Sequence, residues 1–216
     1  MTAATLVSLQ VGKIAPLGPE GVPSAIVKTR VPGRIALLRL GLTGDQQADL
    51  HVHGGPEKAV YGYPARHYSA WARDFPEHAD QFAPGGVGEN FTIDGLDEEG
   101  VCVGDVHSIG GALVQVCQPR EPCFKFALRF SDNRMVRAMV KTGRAGWYYR
   151  VLQEGEVGAG DAVSLRARPN PDFSFARLVA IVSGRDATPD ECARLATMEG
   201  LARRLQAMAR RGFTSA

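Results

Sequence analysis

The side chains best suited to chemistry cluster in the stretch Gln115 to Lys125, QVCQPREPCFK. Cys123 follows Pro119 and Pro122, and Arg120 lies between the two prolines. Proline has no N–H to give a ladder, so the prolines are expected to stop the strand-like run Ala112–Cys117 and leave Cys123 on stiff backbone. A thiol near a fixed guanidinium ionises more readily than a free one. The resulting thiolate is a soft ligand, suited to a metal that sulfur can hold. The plainer alternative is a small buried cysteine in a loop that prolines shape. The other cysteines are Cys102, Cys117 and Cys192, and no spacing among them is a zinc or redox CxxC pattern.

Two more stretches offer ligands. Gly41 to Tyr63 reads GLTGDQQADLHVHGGPEKAVYGY. Its first half is a glycine-rich loop whose N–H groups could face an anion. Its second half places His51 and His53 on one face if the chain is extended there. With His67 or Cys123 they would make a metal set; otherwise one histidine bonds backbone and the other is exposed. Tyr61 and Tyr63 are either core aromatics or platforms for a flat ligand. Pro84 to Phe91, PGGVGENF, has glycines that let backbone approach a ligand closely, although turns need glycine too. Asn90 can both donate and accept, and Glu89 either contacts a ligand or orders the loop.

Taken together these motifs resemble a known family. QPRxPC (Gln118–Cys123), the GLxGDxQ…HGGPxxAxxxYP block, GEN (Gly88–Asn90) and TGxxGW (Thr142–Trp147) resemble MOSC domains, and within them the small stand-alone YiiM-type branch. The family takes its name from the C-terminal domain of molybdenum cofactor sulfurases. The resemblance implies a pyruvate-kinase-type β-barrel and a site for molybdenum cofactor. It implies Cys123 as catalytic residue and metal ligand, with cofactor contacts from Lys28, Gln46, His53, Gly88, Glu89, Asn90 and Arg120. The cofactor carries a phosphate monoester, for which Lys28 and Arg120 are the candidate cations.

The elements that must hold these residues are mostly short strands. Thr5–Val11, Val22–Val31, Arg34–Leu40, Asn90–Ile93, Val101–Val103, Asp105–Ile109, Ala112–Cys117, Trp147–Leu152 and Ala162–Ala167 are rich in β-branched residues and bounded by turn signals. Pro64–Phe75 is expected to be a helix with Pro64 in its first turn, and Asn133–Lys141 a second. Many short strands with Gly-rich turns predict a mainly β, closed or nearly closed barrel over residues 1–168. Arg168-Pro169-Asn170-Pro171 reads as a stiff linker to a three-helix C-terminal domain, 169–216. That tail opens one helix at Ser174 and another with a capping box at Thr188–Glu191. It is expected to be a satellite, dispensable for holding the cofactor. Its arginines, Arg203, Arg204, Arg210 and Arg211, read as a solvated helix face or a phosphate-facing surface.

Composition narrows the function. The 216 residues carry 25 basic and 23 acidic side chains, net +2, without the basic excess of a nucleic-acid binder. No apolar run reaches the ~20 residues of a membrane span. The N-terminal MTAATLVSLQVGKI lacks the pattern of a signal peptide, so a cytoplasmic protein with free thiols is expected. The activity implied by the resemblance is reduction of N-hydroxylated compounds, of the N-hydroxylaminopurine type, at molybdenum. No flavin, haem or iron–sulfur pattern is present and pyridoxal phosphate is not required, so electrons would come from a separate reductase. A homodimer is compatible with this reading. Competing readings are a persulfide carrier on Cys123, a non-catalytic cofactor-binding protein, and a zinc hydrolase on His51, His53 and His67.

Overall fold

The structure, a computed structural model, describes residues 4–50 and 53–213. Its strands are β1 (Ala4–Gly12), β2 (Ala15–Leu17), β3 (Val22–Ser24), β4 (Lys28–Arg30), β5 (Arg34–Leu38), β6 (Gly41–Leu42), β7 (Val60–Pro64), β8 (Phe91–Asp94), β9 (Val106–Ile109), β10 (Ala112–Pro119), β11 (Trp147–Gln153), β12 (Gly155–Gly158) and β13 (Ala162–Ala167). The helices are α1 (His67–Asp74), α2 (Phe124–Phe130), α3 (Arg134–Thr142), α4 (Phe175–Val182), α5 (Pro189–Leu195) and α6 (Arg203–Ala209).

The protein is mainly β, as expected. Seven strands close a mixed barrel in the order β13-β9-β10-β11-β7-β8-β1. Ala4 pairs with Val163 and Thr5 with Ala162 to shut it. Full closure removes the exposed edges that an open sheet would have to protect. Only β7 and β8 run parallel within it, because α1 makes the crossover between them. The inward residues fill the barrel: Leu6, Phe91, Ile93, Ile109, Val114, Val116, Trp147 and Tyr149 are each 0% exposed. Each such side chain contributes about 1.5–3 kcal/mol by leaving water.

Four local expectations change. The strand expected at Val22–Val31 is two strands, β3 and β4, interrupted at residues 25–27. Val101–Val103 makes no strand, only a single bridge from Cys102 to Ser174. Pro64 ends β7 opposite Ile93 and does not begin the helix, which starts at His67. The ladder also runs through Pro119, which pairs with Trp147; at a strand end the missing N–H costs no bond.

The tail is not a loose satellite. Phe173, Phe175, Leu178, Leu195, Leu201 and Leu205 belong to the same apolar cluster as the barrel strands. The proline segment is fastened as well. Arg168 pairs with Asp105 at 2.7 Å, and Asn170 Nδ2 donates to the carbonyls of Val103 (2.8 Å) and Glu199 (3.0 Å). The capping box at Thr188 and Glu191 forms as the sequence predicts.

Candidate active site

A cleft of about 100 Å³ lies where several loops meet. Its walls come from the chain between β3 and β4, the loop after β6, the glycine loop before β8, and the segment joining β10 to α2. Lys28, Gln46, His53, Gly88, Asn90, Arg120 and Cys123 all line it. Glu89 does not.

Cys123 is the residue before α2, in extended backbone and half-buried. Its Sγ lies 3.7 Å from His53 Nε2. The other thiols of the barrel differ. Cys117 is buried, with Sγ 3.0 Å from the Glu57 carbonyl, and burial pushes its pKa up to about 12. Burial also raises the Cys102 thiol. Both stay protonated and inert at neutral pH.

The base of the cleft is a buried ionic chain. Lys28 Nζ donates to Asp45 Oδ1 at 2.6 Å, and both side chains are nearly fully buried. Asp45 Oδ1 also accepts the Gly12 N–H at 2.6 Å, and Oδ2 accepts Asn90 Nδ2 at 2.9 Å. Burial lowers the Lys28 pKa although Asp45 opposes this. Asn90 is fully engaged: Oδ1 accepts the Tyr61 N–H at 3.1 Å and Nδ2 reaches the Gln10 carbonyl at 3.2 Å as well. Its amide therefore positions Asp45. Gln46 Oε1 accepts the Ile14 N–H at 2.8 Å and fixes the loop after β6.

Arg120 is buried, its guanidinium lying over the rings of Tyr61 (4.8 Å) and Phe126 (5.2 Å). It donates to the Val87 carbonyl, which ties the cysteine segment to the glycine loop. Gly88 has φ +87°, and a Cβ there would meet Ile26 Cγ1 at 2.6 Å. Only glycine fits both the conformation and the space. Glu89 orders this loop: Oε1 accepts from Gly85 N–H (2.5 Å), Thr92 (3.0 Å) and Tyr68, and Oε2 from Val87 N–H (3.2 Å).

Several lining residues were not read as site residues from the sequence, Asp45 among them. Lys58, Lys125 and Tyr148 also face the cleft, with Tyr61 beside them. Lys28, Lys58, Arg120 and Lys125 thus set four cations against two carboxylates, Asp45 and Asp49. Burial, helped by Lys58, Arg120 and Lys125, lowers the His53 pKa, so its imidazole is neutral at neutral pH. Tyr63 is core, with Trp71 Nε1 donating to its hydroxyl at 2.6 Å.

The zinc arrangement does not assemble. His67 bonds Glu98 at 2.7 Å in a separate groove, and His51 lies outside the described residues. Among the described residues, the one close group of metal-ligand side chains is Glu77, His78 and Asp132, none of which lines this cleft, and Arg134 bridges Glu77 and Asp132. One accessible thiol amid an excess of cations fits molybdenum cofactor, whose metal takes soft sulfur and whose phosphate needs cations.

Protein YiiM of Escherichia coli (strain K12) is 42% identical over 197 residues, 91% of this chain and 87% of that protein. A protein named Reductase from Gibberella moniliformis is 36% identical over 196 residues, 88% of this chain but 35% of that longer protein. The crystal structure of YiiM from Geobacillus stearothermophilus superposes with a TM-score of 0.82 at 30% identity, covering 98% of this chain and all of that one. Residues 49–164 match the MOSC domain, and with these relatives they establish that the chain belongs to the MOSC family.

Proposed function

We propose that the chain holds molybdenum cofactor in the Cys123 cleft and reduces N-hydroxylated small molecules there. The observation that carries the reading is the convergence of Cys123, four cationic side chains and the Gly88 loop on one cleft. The family's association with this cofactor and the name of the Gibberella relative support it. When bound, the cofactor supplies a dithiolene-held metal that cycles between oxidation states. Cys123 would add the protein thiolate to that metal. Lys28, Arg120, Lys58 and Lys125 would hold the phosphate, and Gly88 lets backbone come close to the ligand. Tyr61 and Tyr148 line the wall, with Arg120 over one ring and Lys58 over the other. The net reaction converts R–NHOH, two electrons and two protons to R–NH2 and water. The electrons come from a separate reductase in this proposal, and the setting is cytoplasmic. A homodimer remains part of it.

The test is protein made in a molybdate-replete host. Molybdenum and pterin at one per chain, with reduction of a hydroxylamine substrate by the dithionite-reduced protein, is the expected result. Cofactor without turnover would make the protein a store. A sulfane sulfur on Cys123 with no molybdenum would make it a persulfide carrier.

A further inference from the structure

A second cleft, of about 510 Å³, adjoins the first and shares Gly54 and Lys58 with it. Arg150 of β11 and Arg203 and Arg204 of α6 line it, with Glu57 as the one carboxylate of its wall. Glu57 is already occupied. It accepts Arg150 Nη2 at 2.9 Å and the backbone N–H of Arg203 at 3.1 Å. Arg204 reaches Glu121, but both side chains are 47% exposed, so water and salt screen the pair. The Lys58 pKa is lowered by burial and by the neighbouring charge of Arg204. The cleft therefore crowds cations that a bound anion would relieve.

Three guanidiniums on two elements suit a dianion taken by several parallel N–H···O bonds, which is phosphate chemistry. The cleft also lies near the thiol. Glu121, which Arg204 contacts, is two residues from Cys123, and two residues span at most about 7 Å. We infer that the second cleft receives a phosphate monoester on the substrate, so that the protein acts on phosphorylated N-hydroxylated molecules. The N–OH end would lie in the Cys123 cleft and the phosphate beyond Lys58. This inference rests on the proposed reduction at Cys123, but its test does not use turnover.

The probes are adenosine 5′-monophosphate and adenosine, titrated calorimetrically into the protein as isolated from a molybdate-replete host. The expected result is binding of the monophosphate at least about tenfold tighter, a difference of about 1.4 kcal/mol. The Arg203→Gln/Arg204→Gln double variant should lose that preference with its molybdenum content unchanged. Both side chains are exposed and glutamine is a good helix former, so the variant folds. Three results would overturn the inference: equal binding of the two probes by the wild type, a preference that survives in the double variant, or loss of molybdenum from it. The last would assign these arginines to the cofactor's own phosphate. If Cys123 proved not to hold molybdenum, the proposed reaction would fail while the binding preference would still be read.

Discussion

Asp45→Asn tests the buried ionic chain at the base of the cleft. The carboxylate takes three donors, from Lys28, Gly12 and Asn90, and an amide offers one acceptor oxygen in place of two. The change leaves Lys28 buried beside no anion, and removing one partner of a buried pair costs about 3–5 kcal/mol. With a urea slope of about 3 kcal/mol per molar for a chain of this size, the unfolding midpoint should fall by about 1 M or more. The pH dependence has a definite sign. The folded-state pKa of Lys28 is lowered because burial outweighs the attraction of Asp45. Between that value and the ordinary lysine pKa, the unfolded chain binds a proton that the folded chain does not, so stability rises with pH. Without Asp45 the pKa falls further and the window widens downward. The deficit of the variant should therefore be largest near pH 7 and shrink near about pH 9.5, where lysine sheds its proton more easily. Urea unfolding of both proteins at the two pH values measures it. An unchanged midpoint near neutrality, or a deficit that grows with pH, would refute the argument.

The other expectations concern separate parts of the molecule. Cys123→Ser should bring the reductase rate per bound molybdenum to background, while serine at Cys102, Cys117 or Cys192 leaves that rate intact; kinetics normalised to metal content decide it. Arg120→Ala should lower cofactor occupancy more than Arg120→Lys, since lysine keeps the charge but not the planar fork that lies over Tyr61 and Phe126; metal analysis of both variants checks this. Thr188→Ala should cost about 1 kcal/mol by removing the capping box, seen in urea unfolding, with cofactor occupancy unaffected. Truncation after Arg168 should give an insoluble or unfolded chain, because it uncovers the barrel surface on which Phe175, Leu178 and Leu205 pack; a folded, cofactor-bearing fragment in circular dichroism and metal analysis would contradict this.

The motif-bearing part of the site was legible because its residues are contiguous. Cys123, Arg120 and Gly88 announce themselves by neighbours, and each lines the cleft. What was hidden depends on partners distant in sequence. Lys28 reads as an ordinary strand lysine until Asp45 folds against it. Glu89 sits inside a recognisable motif, yet its oxygens are spent on the loop itself. Lys58, Lys125 and Tyr148 carry no motif signal, although Lys125 stands two residues after Cys123. Among elements, β7 was missed because Gly62 and Pro64 are poor strand residues, and the parallel pairing with β8 overrides that preference. Helix α2 escaped notice behind the cysteine motif, although Phe126 and Phe130 stand one helical turn apart and both are buried. Sequence alone could not show the tail's docking, since an amphipathic stripe does not name the surface it covers.

Closure of the barrel by β1 and β13 also sets a timetable for the site's assembly. The contact from Ala4 to Val163 spans nearly the whole barrel chain, the kind of pairing that forms late and slowly. The wall holding Lys28 and Asp45 is synthesised well before the wall holding Arg120 and Cys123. At ribosomal speeds, roughly 10 s separate the emergence of Asp45 from that of Val163. A nascent chain thus carries half a cleft, with cations on one piece and the thiol still to come. Under the proposed function, cofactor loading is accordingly a step after synthesis, made on a folded and receptive apoprotein. Such a protein can be filled in a test tube without first being unfolded.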